Sequence, residues 1–412
     1  MPSKTRLEET LMTQAPAHAR APLASAAREM MEALNVEAAP LNIWLRTQAN
    51  APAQRPWFKE TELSATGAMA AGRVAAAQMK AKPHLWKWRE ISPYLHKIAG
   101  IAANADVPPI EFADRQQFLL TNPGLGGRLQ IAAALRCAVS IYNPGDVAPA
   151  HLHSPNASRT ILSPHGGYTN VEGERCPAAR GDVILTPNGT WHDHGNNGSE
   201  PVMWIDTLDW PVLEFLDLIW LDEDMPGATG NVRRQGESHA EGYTQALYSR
   251  GGIKPRFVNH TRGIGVNTTP HIHFRGADIM DALNALRRET GDPHEGVTVD
   301  LVNPVDGSAV FSTIGFGAQM LRAGEETLHK RETASTVFVV MKGRGQTELA
   351  DTTFDWEEND IFVVPNFLWR RHVNRSSSDA VLYTMTDAPL IEKIGQYRAQ
   401  GRTKAGELTQ LV

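Results

Sequence analysis

The chain has 412 residues, which is more than one hydrophobic core usually serves, so we expect two or three structural units. Its 40 basic and 46 acidic residues give a net charge of −6 with no basic block, which argues against nucleic acid or an anionic membrane surface as a partner. Two cysteines exclude a disulfide framework, and no apolar run is long enough to span a membrane, so we expect a cytoplasmic protein.

The patterns along the chain predict a helical N-terminal region followed by two β-rich units. The stretches AAREMMEALNV and AAGRVAAAQMKA have helical spacing, and short apolar runs separated by Gly, Pro and Asn begin near residue 111. Even spacing of such runs is typical of a sandwich or a small barrel. The predicted divisions are an N-terminal region (1–110), a first barrel (111–222), a linker with one helix in DIMDALNALRRE (223–295), a second barrel (296–395) and a C-terminal tail (396–412).

The two β-rich units repeat one another. The segment GDVILTPNGTWHDH (181–194) aligns with NDIFVVPNFLWRRH (359–372) at an offset of 178 residues. Gly145 aligns with Gly324 at an offset of 179. Because two separate segments share nearly the same offset, we predict that one barrel has been duplicated.

Three histidines of the first unit are candidate metal ligands. His151 and His153 are two residues apart, so their side chains point to the same face if they lie on a strand. A third ligand must come from a distant strand, and His192 lies in a later β-rich run. Three neutral imidazoles suit iron, zinc, copper or nickel, so the pattern predicts a metal site and leaves the metal open.

The sequence around these histidines resembles the two motifs of the cupin family. GDVAPAHLH (145–153) resembles the first motif, and GDVILTPNGTWHDHGN (181–196) resembles the second. The glutamate usual in the first motif is absent, since Ala157 or Ser158 occupies its place. Together with the fragments GGYTNVEGE and WIDTLDWP, this loss resembles one cupin branch, the gentisate 1,2-dioxygenase family with its salicylate and 1-hydroxy-2-naphthoate relatives. The resemblance runs from about Trp86 to about Arg398.

The resemblance implies a mainly β bicupin fold, with two jelly-roll barrels and a helical N-terminal region. It implies an Fe(II) cofactor on His151, His153 and His192, and a homotetramer. In the family the acid chelates iron through its carboxylate and the adjacent phenolic oxygen, and both atoms of O2 are inserted as the ring opens between the carbons that bear these groups. The expected partners are therefore a small aromatic acid and O2.

Further site residues follow from the resemblance, one position at a time. Arg159, six residues after His153, is expected to hold the substrate carboxylate, for which a bidentate guanidinium is suited. Arg115 matches a second pocket arginine. His194 matches a histidine suited to proton transfer or to a hydrogen bond with the substrate, and Asp206 matches an aspartate expected to orient a histidine.

Two departures from the family concern the substrate. Ser140 stands where the family usually has glutamine, eleven residues before the first ligand, and Arg136 stands where it usually has an aromatic residue. Both are therefore candidate substrate-binding residues, and Arg136 adds a cation to the pocket. We expect gentisate, a substituted salicylate or another ortho-hydroxy aromatic acid as the substrate.

The second repeat is predicted to lack a metal. Its ligand positions fall on Lys330, Glu332 and Arg370, which balance one another in charge but do not suit Fe(II). A further H-x-H pair, His271 and His273, lies outside either ligand pattern and is interpreted as structural.

Two other functions remain open on the sequence. One is a metal-dependent cupin isomerase or lyase, and the other is a non-catalytic bicupin that binds an aromatic acid. The positions of Arg159 and His194 favour the dioxygenase over the first, and the intact histidine set disfavours the second.

Overall fold

The computed structural model describes residues 25–45, 80–104, 116–223, 239–250, 253–256 and 268–412. Strands outnumber helices in these ranges. The helices are α1 (Ser25–Ala38), α2 (Trp88–Asn104), α3 (Trp210–Phe215), α4 (Tyr243–Tyr248), α5 (Gly276–Leu286) and α6 (Ala388–Lys393), with a 3-10 turn at Ala39–Leu41. None of the described helices is long and apolar enough to cross a membrane.

Two of the three predicted helices are confirmed. The first N-terminal helix is confirmed as α1, and the linker helix is confirmed as α5, which ends at Leu286. The stretch AAGRVAAAQMKA lies largely outside the described residues. The short helices α3 and α6 each have a proline in the first turn, where the missing N–H has no intrahelical partner to lose.

The strands before residue 290 mostly build the first barrel. They are β1 (Ile43–Leu45), β2 (His84–Trp86), β3 (Gln117–Leu120), β4 (Arg136–Tyr142), β5 (Val147–His153), β6 (Ala157–Ile161), β7 (Gly167–Val171), β8 (Glu174–Pro177), β9 (Val183–Thr186), β10 (His192–Asn196), β11 (Val202–Leu208), β12 (Leu221–Glu223) and β13 (His273–Phe274). One sheet has the order β1-β3-β4-β11-β6-β9-β13, and the other has the order β12-β5-β10-β7-β8.

The later strands build the second barrel. They are β14 (Val297–Leu301), β15 (Gly315–Leu321), β16 (Lys330–Glu332), β17 (Thr336–Lys342), β18 (Arg344–Leu349), β19 (Thr353–Glu357), β20 (Ile361–Val364), β21 (Arg370–Val373), β22 (Ala380–Thr386), β23 (Ala399–Arg402) and β24 (Leu408–Gln410). The sheet orders are β14-β15-β22-β17-β20-β2 and β19-β18-β21-β16-β23-β24. Strands from outside the predicted barrel limits, 111–222 and 296–395, also join these sheets. The limits themselves stay a prediction.

Alternation along the strands separates two kinds of core. On β4 and β11, Tyr142 and Trp204 point into the first barrel, where they join a small apolar cluster. Val139 and Ile205 point to the opposite face and join a larger cluster shared with α1, α2 and the second barrel. Successive side chains of a strand point to opposite faces, so one strand can line the barrel interior and pack the two barrels together.

The two barrels exchange edge strands. β2 comes from the N-terminal region and pairs with β20 of the second barrel, whereas β13 precedes the second barrel and pairs with β9 of the first. Equivalent aspartates hold the helices that follow: Trp88 N donates to Asp360 Oδ1 at 2.7 Å, and Gly276 N donates to Asp182 Oδ1 at 2.8 Å. The duplicated units are therefore joined reciprocally.

Candidate metal centre and substrate pocket

The strands bring the three predicted ligand histidines together. His151 and His153 lie on β5, and His192 begins β10, where it pairs in register with His151. One ring nitrogen of each histidine lies within 4.8 Å of the others, and all three side chains are buried. Within the described ranges, this is the one group of histidine, cysteine or carboxylate side chains close enough to share a metal ion.

Backbone carbonyls set the tautomer of each ligand histidine. The Nδ1 atoms of His151, His153 and His192 each lie 2.8 Å from a carbonyl oxygen two residues away in the chain, on Pro149, Pro155 and Thr190. A carbonyl can only accept, so each Nδ1 carries the hydrogen and each Nε2 keeps its lone pair. His192 Nε2 is buried without a hydrogen-bond partner among the described residues. This arrangement fits a metal ion, since carbonyl-oriented imidazoles are the usual ligands of one.

Burial also keeps the ligands neutral. Burial, with smaller effects from His151 and Arg159, lowers the pKa of His153 to about 3. Burial and then His151 likewise lower the pKa of His192 well below its usual range. A neutral imidazole is the form that binds a metal, so these two histidines do not need to lose a proton near neutral pH.

Arg159 lies on β6, close to the three histidines. The neighbouring strand β11 places Asp206 opposite Arg159. Its guanidinium donates to Thr186 Oγ1 at 3.0 Å and to His194 Nε2 at 2.6 Å, and its Nε lies 3.5 Å from Asp206 Oδ1. The side chain is buried. A guanidinium held on several sides is preorganised to bind a carboxylate.

His194 is held in one neutral form by its two neighbours. Since the guanidinium of Arg159 can only donate, His194 Nε2 accepts, and Nδ1 donates to Thr169 Oγ1 at 3.2 Å. Burial and then the charge of Arg159 lower the pKa of His194 well below its usual range. Its ring centroid lies 5.4 Å from that of His192, so the histidine is adjacent to the metal position.

Asp206 contacts Ser140, Trp204 and Arg159. Ser140 Oγ donates to Asp206 Oδ2 at 2.5 Å, and Trp204 Nε1 donates to Oδ1 at 3.1 Å. Through these contacts the carboxylate orients Arg159, which in turn contacts His194. Direct orientation of a histidine by Asp206 stays a prediction.

Arg136 lies on β4, on the same inward face as Ser140. Its Nε donates to the carbonyl of Leu129 at 2.9 Å, and its guanidinium stacks 4.4 Å from the ring centroid of Trp210. Glu214 Oε2 lies 3.9 Å from Arg136 Nη2, and the Glu214 side chain is half exposed. Arg136 therefore adds a cation to this face of the sheet. The other predicted pocket arginine, Arg115, lies outside the described residues.

The sequence reasoning missed Thr169, Thr186 and Trp204, which orient His194, Arg159 and Asp206. They lie on β7, β9 and β11, and a threonine or a tryptophan in a strand carries no functional signal of its own. Only an inward position next to a charged side chain could have indicated them.

The second barrel places an ion-pair cluster at the equivalent positions. Lys330 pairs in register with Arg370, as His151 does with His192. Arg370 Nη2 lies 2.6 Å from Glu332 Oε1. Lys330 Nζ lies 3.5 Å from Glu332 Oε2 and 2.9 Å from Glu295 Oε1. Each charge therefore has an opposite charge beside it. In the other H-x-H pair, His273 Nε2 lies 2.8 Å from Asp182 Oδ2 at the junction between the barrels, in keeping with a structural role.

Three convergent histidines inside a duplicated barrel define the molecule as a metal-binding bicupin. A cupin domain model matches residues 138–208. The salicylate 1,2-dioxygenase of Pseudoaminobacter salicylatoxidans, solved as an adduct with gentisate, is 26% identical and superposes with a TM-score of 0.69 over 85% of this chain and 97% of its own. This agreement, with α1 and α2 ahead of the barrels, confirms the predicted mainly β bicupin fold.

Curated relatives agree with this structural likeness. The chain is 30% identical to the 5-aminosalicylate 1,2-dioxygenase of a Comamonas species over 79% of this chain and 83% of the relative. It is 32% identical to the gentisate 1,2-dioxygenase of a Ralstonia species over 78% of this chain and 85% of the relative. The chain belongs to the gentisate 1,2-dioxygenase family, as its motifs predicted.

Proposed function

We propose that this protein is an Fe(II)-dependent dioxygenase that cleaves the ring of an ortho-hydroxy aromatic carboxylic acid, either gentisate or a salicylate derivative. The observation that carries the proposal is the convergence of three carbonyl-oriented histidines beside a buried arginine. The names of the relatives support this reaction type. Both atoms of O2 would enter between the carbons that bear the carboxyl and hydroxyl groups.

In this proposal His151, His153 and His192 hold the iron through Nε2. Bound Fe(II) supplies coordination positions for the acid and the redox chemistry that O2 requires. Three neutral ligands leave the metal without protein charge. An acid that enters as an anion supplies that charge, which couples substrate binding to reaction with O2.

Arg159 is proposed to bind the substrate carboxylate. Its geometry supports this role, because Asp206 and Thr186 hold the guanidinium while the planar donor group stays adjacent to the histidines. His194 is proposed as the group that hydrogen-bonds the substrate or exchanges a proton with it, through Nε2, whose lone pair accepts from Arg159 in this structure. Asp206 is proposed to act through Arg159.

Ser140, Arg136 and Arg115 are proposed to contact the substrate ring or its substituents. Ser140 supports this role through its short bond to Asp206 on the inward face. Arg136 is suited to an electron-rich or anionic substituent, since it is a buried cation stacked on Trp210. Plain gentisate is therefore one candidate among several substituted acids.

The test begins with anaerobic Fe(II) reconstitution. Oxygen uptake and loss of aromatic absorbance are then measured with gentisate, salicylate, 1-hydroxy-2-naphthoate and ring-substituted salicylates. We expect uptake to depend on one or more of these acids. Stoichiometric iron without uptake for any acid would favour an isomerase, a lyase or a non-catalytic acid-binding protein.

His192→Ala removes the ligand on β10. We expect iron binding to be lost and uptake to fall by about 10³-fold or more, because the metal contributes several kcal/mol to such reactions. His372→Ala is the matched control, since His372 is an equally buried histidine on the equivalent strand of the second barrel. It should keep iron and activity, and full iron content in His192→Ala would refute the metal assignment.

The proposal also covers the assembly and the location of the protein. We propose a homotetramer, as family resemblance implies, and light scattering on the purified chain tests it. A cytoplasmic location is supported by the two cysteines, Cys137 and Cys176, which form no disulfide within the described residues.

A further inference from the structure

Asn156 lies between two candidate functional residues in the chain. It is in the connection between β5 and β6, three residues after His153 and three before Arg159. Its side chain is buried. A buried amide has a donor and an acceptor to satisfy, so its partners decide what it holds together.

The amide of Asn156 contacts three other segments of the chain. Nδ2 donates to Asp209 Oδ2 at 2.9 Å and to Thr313 Oγ1 at 3.3 Å. Oδ1 accepts from the backbone N–H of Asn188 at 3.0 Å. Asp209 follows β11, Asn188 lies in the turn that leads to β10, and Thr313 precedes β15 of the second barrel. One side chain thus ties the segments that carry His153, His192 and the second barrel.

Asp209 makes the link to the second barrel tighter. Its Oδ2 also accepts from the Thr313 hydroxyl at 2.5 Å, and its Oδ1 accepts from the backbone N–H of Asn156 at 2.9 Å. The carboxylate is almost fully buried. Because a buried carboxylate needs all its hydrogen bonds, loss of one partner disturbs the others.

The second barrel shows which part of this cluster belongs to the frame of the barrel. There, Ser335 and Asp387 are equivalent to Asn156 and Asp209, and Ser335 N donates to Asp387 Oδ1 at 2.7 Å. The bond from the backbone to the carboxylate therefore recurs without a metal ligand nearby. The amide, with its contacts to the turn and to Thr313, is an addition of the metal-binding barrel.

We propose that Asn156 is a positioning residue through which the second barrel holds the metal-binding residues in place. Thr313 fixes Asp209, Asp209 and Asn188 fix the amide, and the amide sets the connection that joins His153 to Arg159. The barrel without a metal thereby takes part in the site of the other barrel. Its effect on turnover rests on the proposed function, whereas its effect on metal binding does not.

Asn156→Ser is the sharpest test, because the equivalent position of the second barrel accepts serine and keeps the backbone bond. The dissociation constant for Fe(II) is measured anaerobically by competition with a chelator, well below the melting temperature. We expect metal binding to weaken about 10- to 100-fold, the usual effect of removing a residue that orients metal ligands. With an active acid, kcat/KM should fall by a similar factor.

Thr313→Val removes only the hydroxyl that comes from the second barrel. We expect the same direction of change with a smaller size, about 3- to 10-fold. In the double variant the two effects should not multiply, since both act through Asp209. Multiplicative effects would refute the link between the barrels.

Asn374→Ser is the matched control. Asn374 is a buried asparagine of the second barrel whose Nδ2 donates to three backbone carbonyls. This variant should lower stability and leave the Fe(II) dissociation constant unchanged. If Asn156→Ser also lowers only stability, Asn156 is structural and the proposal is wrong. If the wild type consumes no O2 with any acid, the proposed function fails, and the metal-binding measurement still decides the role of Asn156.

Discussion

The two barrels share the same strand pairing and differ in the side chains at the ligand positions. His151 pairs with His192 across β5 and β10, and Lys330 pairs with Arg370 across β16 and β21. In the first barrel the paired side chains offer lone pairs to a metal, whereas in the second they are two cations neutralised by Glu332 and Glu295. The same backbone register therefore carries a cluster suited to a metal in one barrel and an ion-pair cluster in the other.

One feature of the candidate site is present in both barrels. His194 contacts the hydroxyl of Thr169, and the equivalent His372 contacts that of Thr347 at 2.8 Å. This bond therefore belongs to the frame. What differs is the neighbour on the inward side: His194 contacts Arg159, whereas the ring of Phe338 lies 5.0 Å from that of His372. The arginine, rather than the histidine, distinguishes the metal-binding barrel here.

Three histidines at the equivalent positions should give the second barrel a metal site of its own. The triple variant Lys330→His, Glu332→His, Arg370→His restores three imidazoles at the equivalent register. We expect bound metal to rise from one to two ions per chain, measured by elemental analysis. The matched alanine triple variant should stay at one. A folded histidine variant that binds one ion would show that the local carbonyls of the first barrel are also required.

Breaking the ion-pair cluster should affect stability without affecting the metal. Glu332→Gln leaves two buried cations with less counter-charge, so we expect the free energy of unfolding to fall by about 3–5 kcal/mol. Iron content and activity should be unchanged. Replacing the pair with Glu332→Leu and Arg370→Met should restore most of the loss. Reduced iron in Glu332→Gln would show that the barrels are not independent at this point.

The same carboxylate gives the second barrel a dependence on acid. Burial raises the pKa of Glu332, but Arg370, Lys330 and the hydroxyl of Tyr397 outweigh it and hold the pKa at about 2, below the usual 4.5. The folded state therefore binds this proton less well than the unfolded state does. The stabilisation is complete above about pH 4.5 and is lost as the pH falls towards 2.

Urea unfolding of the wild type and of Glu332→Gln checks this dependence. The difference in their free energies of unfolding should be largest at neutral pH and should shrink between pH 4.5 and pH 3. A constant difference over that interval would contradict the lowered pKa.

The smallest expected effect concerns a turn that both barrels contain. Gly189 has φ of 65°, and the equivalent Phe367 has φ of 66°, a conformation that disfavours residues other than glycine. Phe367 is 62% exposed, so little burial is lost on its removal. Phe367→Gly should relieve about 1–2 kcal/mol of strain, offset by about 0.5–1 kcal/mol of unfolded-state entropy. We expect the free energy of unfolding to rise by about 0.5 kcal/mol, as measured by thermal unfolding. Gly189→Ala should lower the free energy of unfolding.

Much of the site could be predicted from the sequence because its signals are local. Two histidines two residues apart share a face on any strand, and His192 was predicted as the third ligand because it lies in a later β-rich run that resembles the second cupin motif. The missing glutamate and the surrounding motif predicted the family. The exchange of β2 and β13 between the barrels could not be predicted, because a short edge strand carries no signal for its partner.

Residue types and their spacing predicted the duplicated barrel, the three candidate ligands in the first copy and their replacement in the second. Those properties depend on residue type, on spacing within a strand and on the offset between the two repeats. It took the folded structure to show that carbonyls orient the histidines, that Asp206 contacts Arg159, and that Thr313 reaches Asn156 from the other barrel. The contacts of Asp206 and Thr313 join residues that are distant in the chain, so they depend on how strands pair and barrels pack. The carbonyl contacts are local in the chain, but they depend on the backbone geometry at each histidine.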